Sequence, residues 1–331
     1  MRFLQYVDNL LTRVARVDEQ GVVTPLRRFA TMYQLARRAI ESGCTLAEIV
    51  SAEPSDAPVA YADLLRDGRL LPPLTHPDPA HCLVSGTGLT HLGSAAARDS
   101  MHQKLDKRDA ELTDSMKMFK WGIEGGKPQG DEPGMQPEWF YKGSGANLTA
   151  CGSPIVAPDF AEDFGEEPEI VGCYVIDDAG RPHRLGFAIG NEFSDHVTER
   201  RNYLLLAHSK LRRCGVGPML NCGAVPGHMQ GMSRIRRDGR VLWEKPFLTG
   251  EDNMSHSFAN LEYHHFKYAQ HRVPGDVHLH FFGTATLSFV DGIKVQPGDE
   301  FEIDLPALGA PLVNRLAVEP GGHTFGGTRA L

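Results

Sequence analysis

Residues 165–210, GEEPEIVGCYVIDDAGRPHRLGFAIGNEFSDHVTERRNYLLLAHSK, decide the fold. Glu167 and Glu169 flank Pro168, and Ile170 to Ile176 is mostly apolar and β-branched, which suits a strand. Asp177-Asp178-Ala179-Gly180 is turn chemistry, so a hairpin is expected. Its return run, Leu185 to Ile189, ends in Gly190-Asn191-Glu192. Side chains two apart on a strand share a face, so Glu167 and Glu169 converge, and the hairpin return brings Glu192 toward them. Three carboxylates at one point repel unless a cation sits between them. Hard oxygen donors with open positions suit Mg²⁺, Mn²⁺ or Ca²⁺ better than Zn²⁺. An acidic turn beside an exposed strand face satisfies the same spacing, because Glu-x-Glu is common.

Upstream of the stretch stand Phe140-Tyr141-Lys142 and then Gly152-Ser153-Pro154-Ile155-Val156-Ala157-Pro158. Beyond it come Ser209-Lys210 with Gly217-Pro218, then Pro274-Gly275-Asp276-Val277, Gly283-Thr284-Ala285, Gln296-Pro297-Gly298-Asp299, Leu308-Gly309 and Asn314-Arg315. In that order, from about Ser85 to Leu316, these segments resemble the motifs of the fumarylacetoacetate hydrolase superfamily: "GDPIVLP", "KSFD…LGP", "PGDVILTGTP…LKPGD" and "IGTLRNRV". The resemblance implies a mixed, rolled β-sandwich of α+β, mainly β class, with peripheral helices. It also implies a homodimer and a metal held by Glu167, Glu169 and Glu192.

Two departures set this chain apart. The family commonly has Asp after the Asn, where this chain has Glu192, a longer ligand that reaches the same ion from a backbone set back by one methylene. The family's "NDVSARDLQ" becomes Asn191-Glu192-Phe193-Ser194-Asp195-His196-Val197, with the Arg replaced and His196 nearby as a substrate contact. Together with Gly86-Thr87-Gly88-Leu89-Thr90-His91, this pattern resembles the sugar-acid subgroup, whose members include 2-keto-3-deoxy-sugar-acid dehydratases.

Composition limits the function classes. The chain has 331 residues, 41% hydrophobic and 23% charged, ordinary for a globular protein. A formal charge of −8 argues against nonspecific nucleic-acid binding, and Arg212-Arg213 and Arg234 to Arg240 are too short to overturn it. The six cysteines form no CxxC pair and read as reduced thiols of a cytoplasmic protein. Asp8 and Asn9 interrupt the apolar run after Met1, so no signal peptide is expected, and no stretch is long enough to span a membrane.

Residues 1–75 differ in texture from the rest and are read as a small N-terminal region, with helical spacing over Thr31 to Ile40 and Leu46 to Ala52. Residues 76–331 are read as the catalytic domain. His81 to Leu89 is expected to be a strand entering a glycine-rich turn, and Ser94 to Lys120 has helical spacing. Gly122 to Gly134 reads as an exposed loop, and Ser94 to Gly134 together as a mobile lid. Thr198 to Arg213 and Ser257 to Gln270 each read as one helix, and Arg237-Asp238-Gly239-Arg240 as a hairpin turn. His256, His264, His265 and His271 have no HExxH or CxxC framework to make a zinc site.

The resemblance assigns Lys210 and His91 (with His102 as a second candidate) to catalysis. It assigns Thr284 to the substrate carboxylate, with Thr90, Lys142 and His196 as further substrate contacts. A carboxylate-bound Mg²⁺ polarises the keto group of a 2-keto acid and makes its C3 protons acidic. The C4 substituent then decides the reaction. A hydroxyl leads to dehydration, here of a 2-keto-3-deoxy-pentonate to 2,5-dioxopentanoate. A second keto group leads to carbon–carbon hydrolysis of a 2,4-diketo acid. A sugar-acid-binding protein on the same scaffold is the non-enzymatic alternative.

Overall fold

The computed structural model describes residues 1–93, 112–130, 132–321 and 326–331. The first strands are β1 (Arg2–Asp8), β2 (Leu11–Val17), β3 (Val23–Pro25), β4 (Leu70–Leu71), β5 (Cys82–Gly86), β6 (Phe140–Ser144), β7 (Leu148–Thr149) and β8 (Ile155–Ala157). The central hairpin is β9 (Pro168–Ile176) and β10 (Pro182–Asn191). After it come β11 (Cys214–Val216), β12 (Leu220–Cys222), β13 (Met229–Arg237), β14 (Arg240–Thr249), β15 (Val277–Phe281), β16 (Glu300–Asp304) and β17 (Leu312–Val318). Twelve strands form one sheet in the order β3-β2-β1-β12-β10-β9-β15-β5-β6, with β4 on β1, β11 on β10 and β7 on β11. The second sheet runs β14-β13-β16-β17-β8. Both are mixed, since β15–β5, β11–β7 and β17–β8 are parallel pairs.

All nine residues of β9 are buried, which explains why this strand reads as an unbroken apolar run rather than an alternating one. Val171, Cys173 and Val175 pack with Val277, Leu279 and Phe281, and with Met32, Leu35 and Ala36 of the helix Met32–Ser42. The neighbouring residue Ile170 points the other way, into a core of Phe187, Phe282, Phe247, Ile303 and Leu312. The large sheet is thus covered by an N-terminal helix on one face and the second sheet on the other. No helix among the described residues is long and apolar enough to cross a membrane.

The Asp177–Gly180 turn forms as its composition requires. Asp177 Oδ1 accepts the amides of Ala179 (2.9 Å) and Arg181 (2.8 Å), and Gly180 takes φ 76°. The Arg237–Arg240 turn likewise joins β13 to β14, with Asp238 at φ 51° and Gly239 at φ 76°.

Several local expectations need correction. Residues 1–25 carry three strands that the helical reading of the N-terminal region left out, and Asn9 (φ 47°) and Leu10 (φ 68°) make the two-residue turn between the first pair. Since β1 also pairs with β12, one sheet runs from this region into the rest of the chain. The helix expected over Thr198–Arg213 is two short ones, His196–Arg201 and Leu206–Lys210, because extended Asn202 (φ −163°, ψ 129°) interrupts it and caps Leu204. The helix in 257–270 covers Phe258–Phe266, capped by Ser257. Helix Asp114–Gly125 carries into the segment read as a loop from Gly122. The start of the helical spacing from Ser94, the candidate His102 and the first part of the lid segment fall in 94–111, outside the described residues.

Candidate metal and active site

The hairpin register builds the centre. Glu169 pairs with Gly190 and Pro168 with Asn191, so the residue after β10 arrives beside the residue before β9. The Glu192 amide donates to the Glu167 carbonyl (2.9 Å), and Asn191 Oδ1 accepts the Glu167 amide (3.3 Å). Gly190 has no room for a side chain, because a Cβ there would lie 2.5 Å from both Phe281 and Val171. Glu167, Glu169 and Glu192 each offer an oxygen, all within 4.8 Å of one another, and all three residues are buried. Among the described residues this is the one such group.

Basic groups surround it. Lys210 Nζ, at the end of its short helix, donates to Glu167 Oε1 (2.5 Å) and also bonds Glu192 Oε2. Lys142 on β6 pairs with Glu192 Oε1 and donates to the Phe193 carbonyl, and it is wholly buried. His196 sets Nε2 on Glu167 Oε1 (2.9 Å) and Nδ1 on Asp163 Oδ2 (3.2 Å), so carboxylates occupy both ring nitrogens. Glu169 Oε2 accepts the Gly283 amide (2.6 Å) at the end of β15.

The electrostatics follow from burial and charge. Burial opposes the charge on Glu167, but Lys210 and His196 outweigh it and hold this carboxyl well below its usual range. Burial raises Glu169 and Glu192, with repulsion from Glu167 and, for Glu169, from Glu192 adding to it. Burial works against the charge on Lys210, and Glu167 and Glu192 reverse the effect and keep it protonated. His196 likewise overcomes its burial through Asp163 and Glu167 and is raised to about 10. This donor set fits a hard divalent cation. Three buried carboxylates converge, and burial and mutual repulsion keep Glu169 and Glu192 shifted toward their neutral forms against the pull of Lys210 and, for Glu192, Lys142, a shift that a bound cation would reverse.

The remaining sequence candidates fall around this centre. Thr284 follows Gly283, is partly exposed, and accepts the Thr286 amide at its hydroxyl (3.2 Å). Thr90 donates its hydroxyl to the Phe282 carbonyl. His91 lies against Thr90 Oγ1 (3.2 Å) and Thr249 Oγ1 (2.9 Å), with burial pushing its ring down to about 3. Sequence reasoning missed Glu166, Asp163, Phe140 and Ser288. Glu166 is fully buried and accepts the Ser288 amide (2.9 Å) and hydroxyl (2.5 Å), and burial pushes it up to about 7 against those bonds. Phe140 puts its ring 5.0 Å from Lys210 Nζ.

Two other features lie away from the carboxylates. His265 bonds His278 (2.9 Å) and sets its ring, tilted by 36°, against that of His280 (4.4 Å between ring centres); His278 and His280 pair with Tyr174 and Gly172 of β9. These β9 positions face away from Glu169. A cavity of about 690 Å³ is lined by Ala36, Cys44, Leu185 and Cys222 and touches none of the three carboxylates.

The chain has the fold of the fumarylacetoacetate hydrolase superfamily, in agreement with the order of its sequence motifs. Neither a family model nor a curated protein sequence matches it. Solved structures do. A hexagonal crystal form of 2-keto-3-deoxyarabinonate dehydratase aligns with a TM-score of 0.72 at 18% identity, over 97% of this chain and 100% of that one. The 2-keto-3-deoxy-D-arabinonate dehydratase complexed with magnesium and 2,5-dioxopentanoate gives 0.70 at 18% identity, over 96% and 99%. A fumarylacetoacetate hydrolase from psychrophilic Exiguobacterium antarcticum gives 0.60 at 14% identity, over 96% and 99%. At these identities the likeness is one of fold.

Proposed function

We propose that this protein is a Mg²⁺-dependent dehydratase of a 2-keto-3-deoxy sugar acid, converting a 2-keto-3-deoxy-pentonate to 2,5-dioxopentanoate and water. The observation that carries the reading is the buried convergence of Glu167, Glu169 and Glu192 with Lys210 bonded to two of them. Bound there, Mg²⁺ supplies a Lewis acid for the keto group. A fold neighbour complexed with magnesium and 2,5-dioxopentanoate supports both the metal and the product.

This chain's residues then divide the work. Dehydration removes a C3 proton and the C4 hydroxyl, after which C5 and its hydroxyl each give up one hydrogen, to C3 and C4. Lys210 Nζ is a donor beside the carboxylates and is assigned to the departing C4 oxygen. His91, kept neutral by burial, is assigned to the C3 proton. Thr284, next to the amide that holds Glu169, is assigned to the substrate carboxylate. His196 and Lys142, with their nitrogens on Glu167 and Glu192, are assigned to holding those ligands rather than to the substrate contacts that the resemblance implies.

Purified, Mg²⁺-loaded protein is expected to convert one stereoisomer of the pentonate to a semialdehyde that an NAD(P)-dependent aldehyde dehydrogenase oxidises to 2-oxoglutarate. A direct assay for pyruvate from 2,4-diketo acids runs beside it. Rapid pyruvate release with no semialdehyde from either stereoisomer replaces the dehydratase with the hydrolase. Binding of the acids without turnover of any replaces both with the binding protein.

A further inference from the structure

The segment 282–288 has no regular secondary structure, yet it carries the Gly283 amide and Thr284 to the carboxylate centre. Its short hydrogen bonds to the rest of the chain lie at its two ends, with one longer bond between them, from the Thr286 hydroxyl to the Pro246 carbonyl (3.5 Å). At one end Gly283 donates to Glu169 Oε2 (2.6 Å), and Gly283 is held at φ 87°, where a Cβ would lie 2.4 Å from Thr90 Oγ1. At the other, Ser288 donates both its amide (2.9 Å) and its hydroxyl (2.5 Å) to Glu166. The next residue, Phe289, sets its ring 5.2 Å from that of His196, which in turn holds Glu167. Glu166 is fully buried, and a buried carboxylate is costly unless donors satisfy it. Here both charge-assisted bonds come from one residue of the loop.

We propose that Glu166 is a positioning residue that acts through Ser288. It latches the far end of the 283–288 loop to the chain segment that supplies Glu167 and Glu169, and so fixes Gly283 and Thr284 against the carboxylate centre. The latch is a property of the fold. Only the class of ligand that it positions, a 2-keto acid, rests on the proposed function. Glu166 sits one residue from a metal ligand but faces Ser288, so its loss acts on the loop and not on cation uptake.

The test uses Ser288→Ala and Glu166→Gln, with Ser288→Thr as the conservative control, in full-length protein shown by circular dichroism to be folded. Amide hydrogen exchange in metal- and ligand-free protein is expected to speed up on the order of tenfold across 283–288 in the first two variants, the effect of losing one charge-assisted hydrogen bond. Exchange within 170–176 stays unchanged. Calorimetry with oxalate, a planar mimic of the 2-keto acid head, on Mn²⁺-loaded protein is expected to show affinity falling on the order of tenfold. Mn²⁺ affinity, followed by its electron paramagnetic resonance signal, is expected to stay within about threefold. Ser288→Thr restores both exchange and oxalate binding. Unchanged exchange overturns the latch, and so does parallel loss of Mn²⁺ and oxalate. Wild-type protein that takes up Mn²⁺ but not oxalate removes the 2-keto acid reading, and the exchange result then decides the latch by itself.

Discussion

Replacing Glu169 with Gln separates the metal reading from a merely structural acidic cluster. The side chain keeps its volume and its acceptor for the Gly283 amide. What it loses is the ability to ionise as the third of three carboxylates whose oxygens lie within 4.8 Å of one another. At an effective dielectric of about 20, two like charges at that distance repel by about 3.5 kcal/mol. Lys210 and Lys142 offset part of this, so the metal-free variant is expected to be at least as stable as the wild type. Mg²⁺ shows the opposite effect. At about one hundred times its dissociation constant a bound ion stabilises by about 2.7 kcal/mol. Unfolding entropy of about 2.1 cal/mol/K per residue gives about 0.7 kcal/mol/K for 331 residues, so wild-type Tm should rise by about 4 °C. Thermal unfolding with Mg²⁺ and with chelator, on both proteins, measures each effect. An equal Mg²⁺-induced rise in the variant would falsify the assignment of the ion to these carboxylates.

Three further outcomes are expected. Lys210→Met leaves Glu167 and Glu192 without their shared cation, so metal-free protein should lose about 3–5 kcal/mol in urea titrations and turnover should vanish; wild-type turnover in this variant rules out the assigned role. Gly283→Ala forces a Cβ to 2.4 Å from Thr90 Oγ1 at φ 87°, and should cost at least about 1–3 kcal/mol and raise KM; unaltered stability and KM show that the loop gives way freely. For Asp177, burial opposes the charge, but the amides of Arg181 and Ala179 and the side chains of His183 and Arg181 prevail and hold the carboxyl well below its ordinary 3.8. A depressed carboxyl contributes stability above its unfolded value and loses it as pH falls, so Asp177→Asn should cost about 1 kcal/mol at pH 7, a gap that narrows below about pH 4. A gap that widens on acidification contradicts this account.

The central hairpin was legible because its signals are local. Asp177 through Gly180 specifies the turn through the bonds that the Asp177 side chain makes to the backbone, and the register that follows, shifted by one at a bulge between Arg184 and Gly186, delivers Glu192 to Glu167. The N-terminal strands were less legible. The turn at Asn9 and Leu10 places a leucine at φ 68°, which no turn composition advertises, and β1 gains its partner β12 from more than two hundred residues away. Asn202 illustrates the same limit in a helix. The apolar spacing of 198–213 continues through it, while the backbone leaves the helix and the Asn side chain caps the next turn.

At the site, the charge pattern was legible but the bookkeeping of partners was not. Glu167-x-Glu169 and the returning Glu192 are a matter of strand periodicity, and the carboxylates converge as that periodicity requires. Which cation faces which carboxylate depends on how distant elements pack. The change after Asn191 suggested a pocket contact at His196, yet the fold turns this imidazole onto Glu167 and Asp163 with the ring against Phe289. Glu166 carries no signal of its own in the sequence, and its partner Ser288 comes from the loop after β15. Each of these groups is a charge that burial would otherwise make costly, and each is satisfied by a partner from another element. The three carboxylates follow from one hairpin, whereas the groups packed around them come from segments such as Lys142 on β6, Lys210 on a short helix and Ser288 in a loop. That division explains why the convergence of the carboxylates could be read from the sequence, and why the partners of the charges around them required the fold.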